Sequence, residues 1–182
     1  LVKFTHISTD YYHSCGRGGA GAVMGAKRLK AVVVRGAHSI RYADAGALCK
    51  FVCEEIEQRV LSDPNIANVV KYGKPLTMDY TNELGFCPTR NFQEGYFEAY
   101  TEIDGPAMRR KVVESDRGCF ACNLPCGKFS RVKDGAFAGV CLVGPEYETN
   151  CLLGSNCGIS YMEAIVQSNY LCDDLGLDVI SA

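Results

Sequence analysis

The chain has 182 residues, of which 47% are hydrophobic and 22% are charged, and this composition is typical of a folded globular protein. Its formal net charge of −2 gives no electrostatic support for binding to nucleic acid or to an anionic membrane. No apolar stretch approaches the roughly 18 residues of a membrane span, and the first residues do not resemble a signal peptide. We therefore expect a soluble, cytoplasmic protein with neither partner.

The first 36 residues predict a strand, a glycine turn and a second strand. Apolar and polar residues alternate from Val2 to His6, and a glycine-rich loop follows from Gly16 to Gly21. The β-branched run Leu29-Lys-Ala-Val-Val-Val-Arg, bounded by Gly36, predicts a buried strand. The sequence starts at a strand without Met, so we interpret it as an internal fragment whose independent folding is an open question.

After Gly36 the sequence becomes mainly helical. Apolar residues recur near the helical period of about 3.6 residues between Asp44 and Leu61, which predicts an amphipathic helix ended by Pro64. Glycine and proline interrupt residues 65–106, where we expect short helical turns and loops, and one short helix is expected over residues 107–115.

A longer helix is predicted near the C-terminal end, from about Ser160 to Leu175, with Gly176 as its cap. Together with the N-terminal strands, these helices predict an α+β fold. The change of character divides the chain into residues 1–36, which end a β-rich domain, and residues 37–182, which begin a helical one.

Eleven cysteines are present, and an odd number cannot pair completely in internal disulfides. The helical periodicity and apolar content favour a reducing compartment over a secreted disulfide scaffold. Three of the cysteines form the run Cys119-Phe-Ala-Cys122-Asn-Leu-Pro-Cys126, which brings their thiolates within reach of one metal centre. Gly118 and Gly127 flank this run and would let backbone amides approach the sulfurs.

An iron–sulfur cluster is favoured over zinc at this run, because no histidine follows His38 to complete a zinc site. A 4Fe–4S cluster needs a fourth ligand, which Cys157 or Cys172 could supply. Most of the remaining cysteines are expected to be buried, small apolar residues.

The loop from Gly16 to Gly21 matches the dinucleotide pattern G-x-G-x-x-G, but a single match is weak evidence. We expect no strand directly before it and no helix of useful length after it, which argues against a Rossmann site. Exposed amides beside Arg17 and Lys27 would suit a phosphate or another anion. The structural alternative is a tight turn that needs glycine for its backbone angles.

Two further stretches carry carboxylates. Gly144-Pro-Glu146-Tyr-Glu148-Thr places two of them in an apolar setting where burial could raise one pKa into the range of general acid–base catalysis, or they could simply be surface charges on a turn. Asp173-Asp-Leu-Gly176-Leu177-Asp178 joins a helix end to a glycine turn and presents carboxylates and backbone groups together.

Taken in order, the glycine loop, Thr89-Arg-Asn-Phe-Gln, the three-cysteine run, the Glu146 stretch and the Asp173 stretch resemble the aldehyde:ferredoxin oxidoreductase family over nearly the whole chain. The resemblance implies that residues 1–36 end a β-rich, pterin-binding domain. It also implies one tungsten or molybdenum held by two pterins, Mg²⁺ between the pterin phosphates, a 4Fe–4S cluster, and ferredoxin as the acceptor of electrons from an aldehyde. Members of the family are often homodimers, which leaves a homodimer open here.

The resemblance assigns roles to individual residues. The cluster ligands would be Cys119, Cys122 and Cys126, the pterin-binding residues Arg17, Gly18, Asp173, Leu177 and Asp178, and the catalytic proton acceptor Glu148. It places the fourth cluster cysteine, a second pterin motif and an active-site histidine beyond this sequence. Two alternatives stay open: the catalytic subunit of a tungsten-dependent benzoyl-CoA reductase, and a non-catalytic iron–sulfur or zinc module.

Overall fold

A computed structural model describes residues 2–9 and 13–182, so Leu1 and residues 10–12 are outside this description. The N-terminal part begins with an antiparallel pair, β1 (Ile7–Thr9) and β2 (His13–Cys15). The glycine loop follows β2 directly and leads into α1 (Ala20–Ala26). A strand therefore does precede the loop directly, contrary to our expectation, while the helix that follows has only seven residues. A Rossmann site requires a parallel βαβ unit, whereas β1 and β2 form an antiparallel hairpin. The structure therefore still argues against a Rossmann site.

The predicted buried strand at residues 29–35 is wrong. These residues have no regular secondary structure, and Val33 is 90% exposed. A β-branched run forms a strand only when a neighbouring strand accepts its backbone hydrogen bonds. No such neighbour lies beside it within residues 2–9 and 13–182.

The helix predicted between Asp44 and Leu61 is confirmed as a continuous helical stretch. It consists of α2 (Ala45–Lys50), a π-helical segment (Phe51–Ile56) and α3 (Glu57–Ser62). The Asp44 carboxylate caps it by accepting a hydrogen bond from the Ala47 amide at 2.9 Å. Pro64 is the first residue of the next helix, where its missing N–H has no cost.

Short helices connect this stretch to a small sheet, as predicted for residues 65–106. They are α4 (Pro64–Tyr72), a 3₁₀ turn (Lys74–Leu76), α5 (Thr77–Glu83), a second 3₁₀ turn (Tyr100–Glu102) and α6 (Gly105–Lys111). The helix expected over residues 107–115 thus starts earlier, where Asp104 accepts a hydrogen bond from the Ala107 amide at 2.7 Å. It also ends earlier, because a strand begins at Val113.

A three-stranded antiparallel sheet, which the sequence analysis missed, holds the cysteine run. Its strands are β3 (Val113–Arg117), β4 (Gly127–Arg131) and β5 (Cys141–Val143), with β4 in the centre. The cysteines lie in the connection between β3 and β4. Both strands are rich in charged residues, so they lack the apolar alternation that marks a strand in sequence.

The C-terminal part contains α7 (Tyr147–Thr149), a π-helical turn (Asn150–Gly154), a 3₁₀ turn (Ser155–Cys157) and α8 (Met162–Leu175). The predicted cap is confirmed, since Gly176 has the left-handed angles φ 70° and ψ 35°. The largest fully buried side chains lie between Met78 and Val166 and include Met108 and Ile165. No helix within the described ranges is long and apolar enough to cross a bilayer.

Candidate cofactor site

The N-terminal segment connects the glycine loop to the Asp173 stretch, which lies more than 150 residues away in sequence. Thr5 forms a β-bridge with Leu177, and the His6 amide donates to the Gly176 carbonyl at 2.9 Å. On its other side, the Thr5 carbonyl accepts a hydrogen bond from the Gly21 amide at 3.0 Å. A Cβ atom at Gly21 would lie 2.3 Å from the His6 carbonyl oxygen, so this contact requires glycine.

An ion pair joins the two motifs directly. Arg17 Nε lies 3.6 Å from Asp178 Oδ2, with 67% of the arginine side chain and 6% of the aspartate side chain exposed. The Asp178 carboxylate also accepts hydrogen bonds from the Ile180 amide at 3.2 Å and from the Ser181 hydroxyl. Because the arginine side chain is largely exposed, solvent screens this pair and its contribution to stability is small. The guanidinium therefore retains donors that can face a ligand.

One cavity of about 260 Å³ collects most of the residues assigned to the cofactor. Arg17, Glu148, Asp173, Leu177 and Asp178 all line it. Gly18 does not, and its backbone has φ 89° with open space beside the α-carbon. The sequence analysis missed other lining residues, including His6, Ser14 and Thr149. His6 and Ser14 enter the site because β1 and β2 pair, which residue spacing alone does not reveal.

Asp173 lies at the boundary of this cavity and a neighbouring one of about 290 Å³. Although the residue is exposed, desolvation of its carboxyl raises its pKa, and His6 acts in the opposite direction. Asn169 Nδ2 donates to Asp173 Oδ2 at 2.9 Å and fixes the carboxylate at the end of α8. His6 and Asp173 line both cavities, so the two are neighbours.

The two glutamates of the Gly144 stretch belong to different cavities. Glu148 lies in α7 and lines the cavity that contains Arg17. Glu146 precedes α7 in an extended conformation and lines a third cavity of about 460 Å³, together with Cys119 and Cys126. Burial raises the pKa of Glu146, and Lys74 opposes this shift. One carboxylate thus faces the proposed pterin site and the other faces the cysteines.

The three cysteines of the run are free thiols. Cys119 and Cys122 are exposed, and Cys126 is partly buried, which raises its pKa. The Leu124 amide donates to Cys122 Sγ at 3.4 Å. A Cβ atom at Gly118 would lie 3.2 Å from the Cys122 carbonyl oxygen, so this glycine permits a tight loop.

The donor chemistry of these thiols fits a metal cluster, but the structure does not bring the three of them together around one point. Within the residues described, no three His, Cys, Asp or Glu side chains are grouped closely enough to hold a metal ion. Cys157 and Cys172 do not line the cavity shared by Cys119 and Cys126. Sulfur donors of this spacing, with an amide directed at one sulfur, nevertheless suit iron–sulfur ligation.

The cysteine cavity adjoins the others. His13 and Val143 line both the 460 Å³ cavity and the 290 Å³ cavity, which in turn shares His6 and Asp173 with the cavity that contains Arg17. Shared wall residues therefore place the glycine loop, the Asp173 stretch and the cysteines around three neighbouring cavities.

Comparison with known proteins shows which family this chain belongs to. A family model described as aldehyde ferredoxin oxidoreductase, N-terminal domain, matches residues 1–36, and one described as aldehyde ferredoxin oxidoreductase, domains 2 & 3, matches residues 51–182. The chain belongs to the aldehyde ferredoxin oxidoreductase family. The resemblance inferred from the five motifs is thereby confirmed.

Three relatives show how far the similarity extends. The tungsten-containing aldehyde ferredoxin oxidoreductases of Pyrococcus abyssi and Thermococcus kodakarensis are 39% and 40% identical over 99% and 100% of this chain. The aliphatic sulfonate oxidoreductase, WOR-like subunit, of Pyrococcus furiosus is 31% identical over 99% of the chain. The chain spans 29% of the length of the first two relatives and 28% of the third, which confirms the interpretation as a fragment.

Proposed function

We propose that the parent protein oxidises aldehydes to carboxylic acids at a tungsten centre held by two pterins, and passes the electrons through a 4Fe–4S cluster to ferredoxin. The observation that carries this proposal is the cavity lined by Arg17, Glu148, Asp173, Leu177 and Asp178. It neighbours a cavity lined by Cys119 and Cys126, since a third cavity shares wall residues with both. Molybdenum could replace tungsten in the same site.

The residues of the glycine loop would bind the anionic part of the pterin cofactor. Arg17 supplies an exposed guanidinium, and the backbone at Gly18 is open on one side. A guanidinium and loop amides are suitable hydrogen-bond donors for phosphate. Mg²⁺ would neutralise part of the negative charge of the phosphates. In the same cavity, the Asp173 and Asp178 carboxylates can accept hydrogen bonds from the N–H groups of a pterin ring, and Leu177 adds an apolar surface.

Glu148 would accept a proton during the reaction. Aldehyde and water give a carboxylic acid, two electrons and two protons, and the bound metal centre supplies the electron acceptance. The Glu148 carboxylate lies in α7 at the wall of the proposed cofactor cavity, where it can take one proton as the C–H bond of the hydrated aldehyde breaks.

The three cysteines would hold the cluster, with a fourth ligand from the part of the parent outside this sequence. All eleven cysteines of the chain are free, which suits a reducing, cytoplasmic setting. As in other family members, we propose an aldehyde and ferredoxin as partners and a homodimer as the assembly. The higher identity to the aldehyde oxidoreductases than to the sulfonate oxidoreductase subunit favours an aldehyde substrate.

The test is metal analysis and electron paramagnetic resonance of the full-length parent, purified without oxygen. We expect about four irons and one tungsten per chain, with the cluster signal lost or altered in Cys122→Ser. Cys53→Ser is the control, because Cys53 is an exposed thiol on the helical stretch 45–62. Zinc without iron or tungsten would contradict the proposal, and iron without tungsten or molybdenum would remove the aldehyde chemistry.

A further inference from the structure

A buried lysine lies directly behind the cysteine run. Lys128 is the second residue of β4, and its side chain is 1% exposed. Its Nζ lies 2.7 Å from the Val70 carbonyl oxygen, 3.0 Å from that of Cys126, 3.3 Å from that of Gly127 and 3.4 Å from that of Pro125. We call these four acceptors the carbonyl cage.

The carbonyl cage connects the cysteine run to a different part of the fold. Val70 belongs to α4, whereas the other three carbonyls belong to the end of the run itself. The Cys126 carbonyl also packs against Gly73, where a Cβ atom would lie only 2.9 Å away. Lys128 therefore fixes the backbone on both sides of Cys126 against the end of α4.

The charge of Lys128 is only partly neutralised. Among the residues described, Asp116 is the carboxylate within ion-pair distance of Lys128: its Oδ1 lies 3.2 Å from Nζ, and it is the partner of Lys128 across β3 and β4. Asp116 also pairs with Arg109 and is 32% exposed, so its negative charge is shared and partly solvated. Burial of a charged ammonium is costly, and an apolar residue would fill this position at lower cost. A contribution to stability therefore does not explain why a lysine occupies this position. An electrostatic effect of its charge on the neighbouring cysteine run explains it better.

We propose that Lys128 is a positioning residue for the iron–sulfur cluster, which holds the Cys126 backbone and raises the reduction potential of the cluster through its positive charge. Reduction adds a negative charge to the cluster, and a fixed positive charge in a medium of low dielectric constant stabilises that state. Asp116 has the opposite effect because it offsets the lysine charge. This inference depends on the proposed function, since it requires a cluster at Cys119, Cys122 and Cys126.

The experiment is a redox titration of the cluster in the full-length, anaerobically purified parent, followed by electron paramagnetic resonance. We expect Lys128→Met to make reduction about tenfold less favourable, which is about 59 mV for a one-electron couple. Asp116→Asn should shift the potential in the opposite direction and by less, because solvent screens its exposed carboxylate. Lys133→Met is the matched control: it removes the same charge from an exposed position in the loop after β4 and should leave the potential unchanged.

The outcomes separate the proposals. Opposite shifts in Lys128→Met and Asp116→Asn support the electrostatic role, which a merely structural role would not produce. If Lys128→Met fails to take up iron, Asp116→Asn provides the test: a higher potential supports the electrostatic role, and an unchanged or lower potential contradicts it. Unchanged potentials, or a Lys133→Met shift as large as that of Lys128→Met, would overturn the proposed role of Lys128. The proposed function of the parent protein would not be affected. A wild-type protein without iron would overturn the proposed function together with this inference.

Discussion

The first region, residues 2–9 and 13–62, and the second region, residues 63–178, both carry the apolar spacing of packed secondary structure, but they differ in how much of it is buried. The core side chains, such as Met78, Ile165 and Val166, all belong to the second region. In the first region Val33 is 90% exposed and Phe51 is 54% exposed. We call these parts the open region and the packed region.

An apolar pattern in the sequence identifies which side chains are suited to burial. It does not identify the elements that will pack against them. The packed region contains both sides of its own core: α8 packs against α6 and against the sheet strand β5. In the open region, apolar side chains such as Val33 and Phe51 remain largely exposed, although α3 contacts α4. Burial of apolar surface is the main favourable term in folding. Most of the stability of this chain should therefore come from the packed region.

The largest effect should come from truncating the core. In the 182-residue chain, we expect Ile165→Ala to lower the free energy of unfolding by about 2–5 kcal/mol, because it leaves a cavity among fully buried side chains. Val33→Ala in the open region should change it by less than about 0.5 kcal/mol. Urea denaturation followed by circular dichroism measures both. A loss at Val33 as large as that at Ile165 would show that the open region is packed after all.

The same contrast explains how much of the fold could be predicted from sequence. The helix ending at Leu175 was predictable because its apolar spacing and Gly176 are local signals. The strands β3 and β4 were not, because their pairing depends on cross-strand partners such as Asp116 and Lys128. The run at residues 29–35 was predicted to be a strand for its β-branched residues, yet propensity alone does not supply a neighbour.

The candidate site shows a similar division. Motif resemblance selected Arg17 and Asp178, but their approach to 3.6 Å depends on the bridge between Thr5 and Leu177, which no local pattern indicates. Sequence also could not separate Glu146 from Glu148, since the start of α7 decides which cavity each one faces. Lys128 was overlooked because a lysine in a polar strand is normally solvent-exposed.

A smaller effect is expected where the open region meets the packed one. Gly21→Ala would place a Cβ atom 2.3 Å from the His6 carbonyl oxygen, so the backbone has to move. We expect a loss of about 1–3 kcal/mol and faster hydrogen exchange at the His6 and Asp178 amides, which bridge the two regions.

Gly25→Ala is the matched control for this junction, because Gly25 lies in the same helix α1 with open space around it. An alanine there should stabilise the helix slightly, by up to about 1 kcal/mol. Equal exchange rates in the two variants would mean that the close approach between α1 and the N-terminal segment does not hold the regions together.

The smallest effect concerns pH and tests whether the packed region buries charge as well as apolar surface. Burial raises the pKa of Glu146 above the ordinary glutamate value of about 4.3, so its carboxyl takes up protons more readily in the folded state than in the unfolded state. The stability that this group contributes is present below the ordinary pKa and is lost as pH rises through the raised one. The free energy of unfolding should therefore fall less over that interval in Glu146→Gln than in wild type.

Glu102 gives the opposite sign and serves as the control. The Lys111 ammonium donates to its carboxylate and lowers the pKa of Glu102, so this group contributes stability above the ordinary pKa and loses it as pH falls through the lowered one. Urea denaturation of wild type, Glu146→Gln and Glu102→Gln between pH 3 and pH 7, roughly the range in which carboxyl groups titrate, distinguishes the two slopes. If Glu146→Gln left the pH dependence of unfolding unchanged, Glu146 would be solvated in the same way as an exposed carboxylate. The packed region would then exclude water from its apolar core but not from the cavity that contains the cysteines.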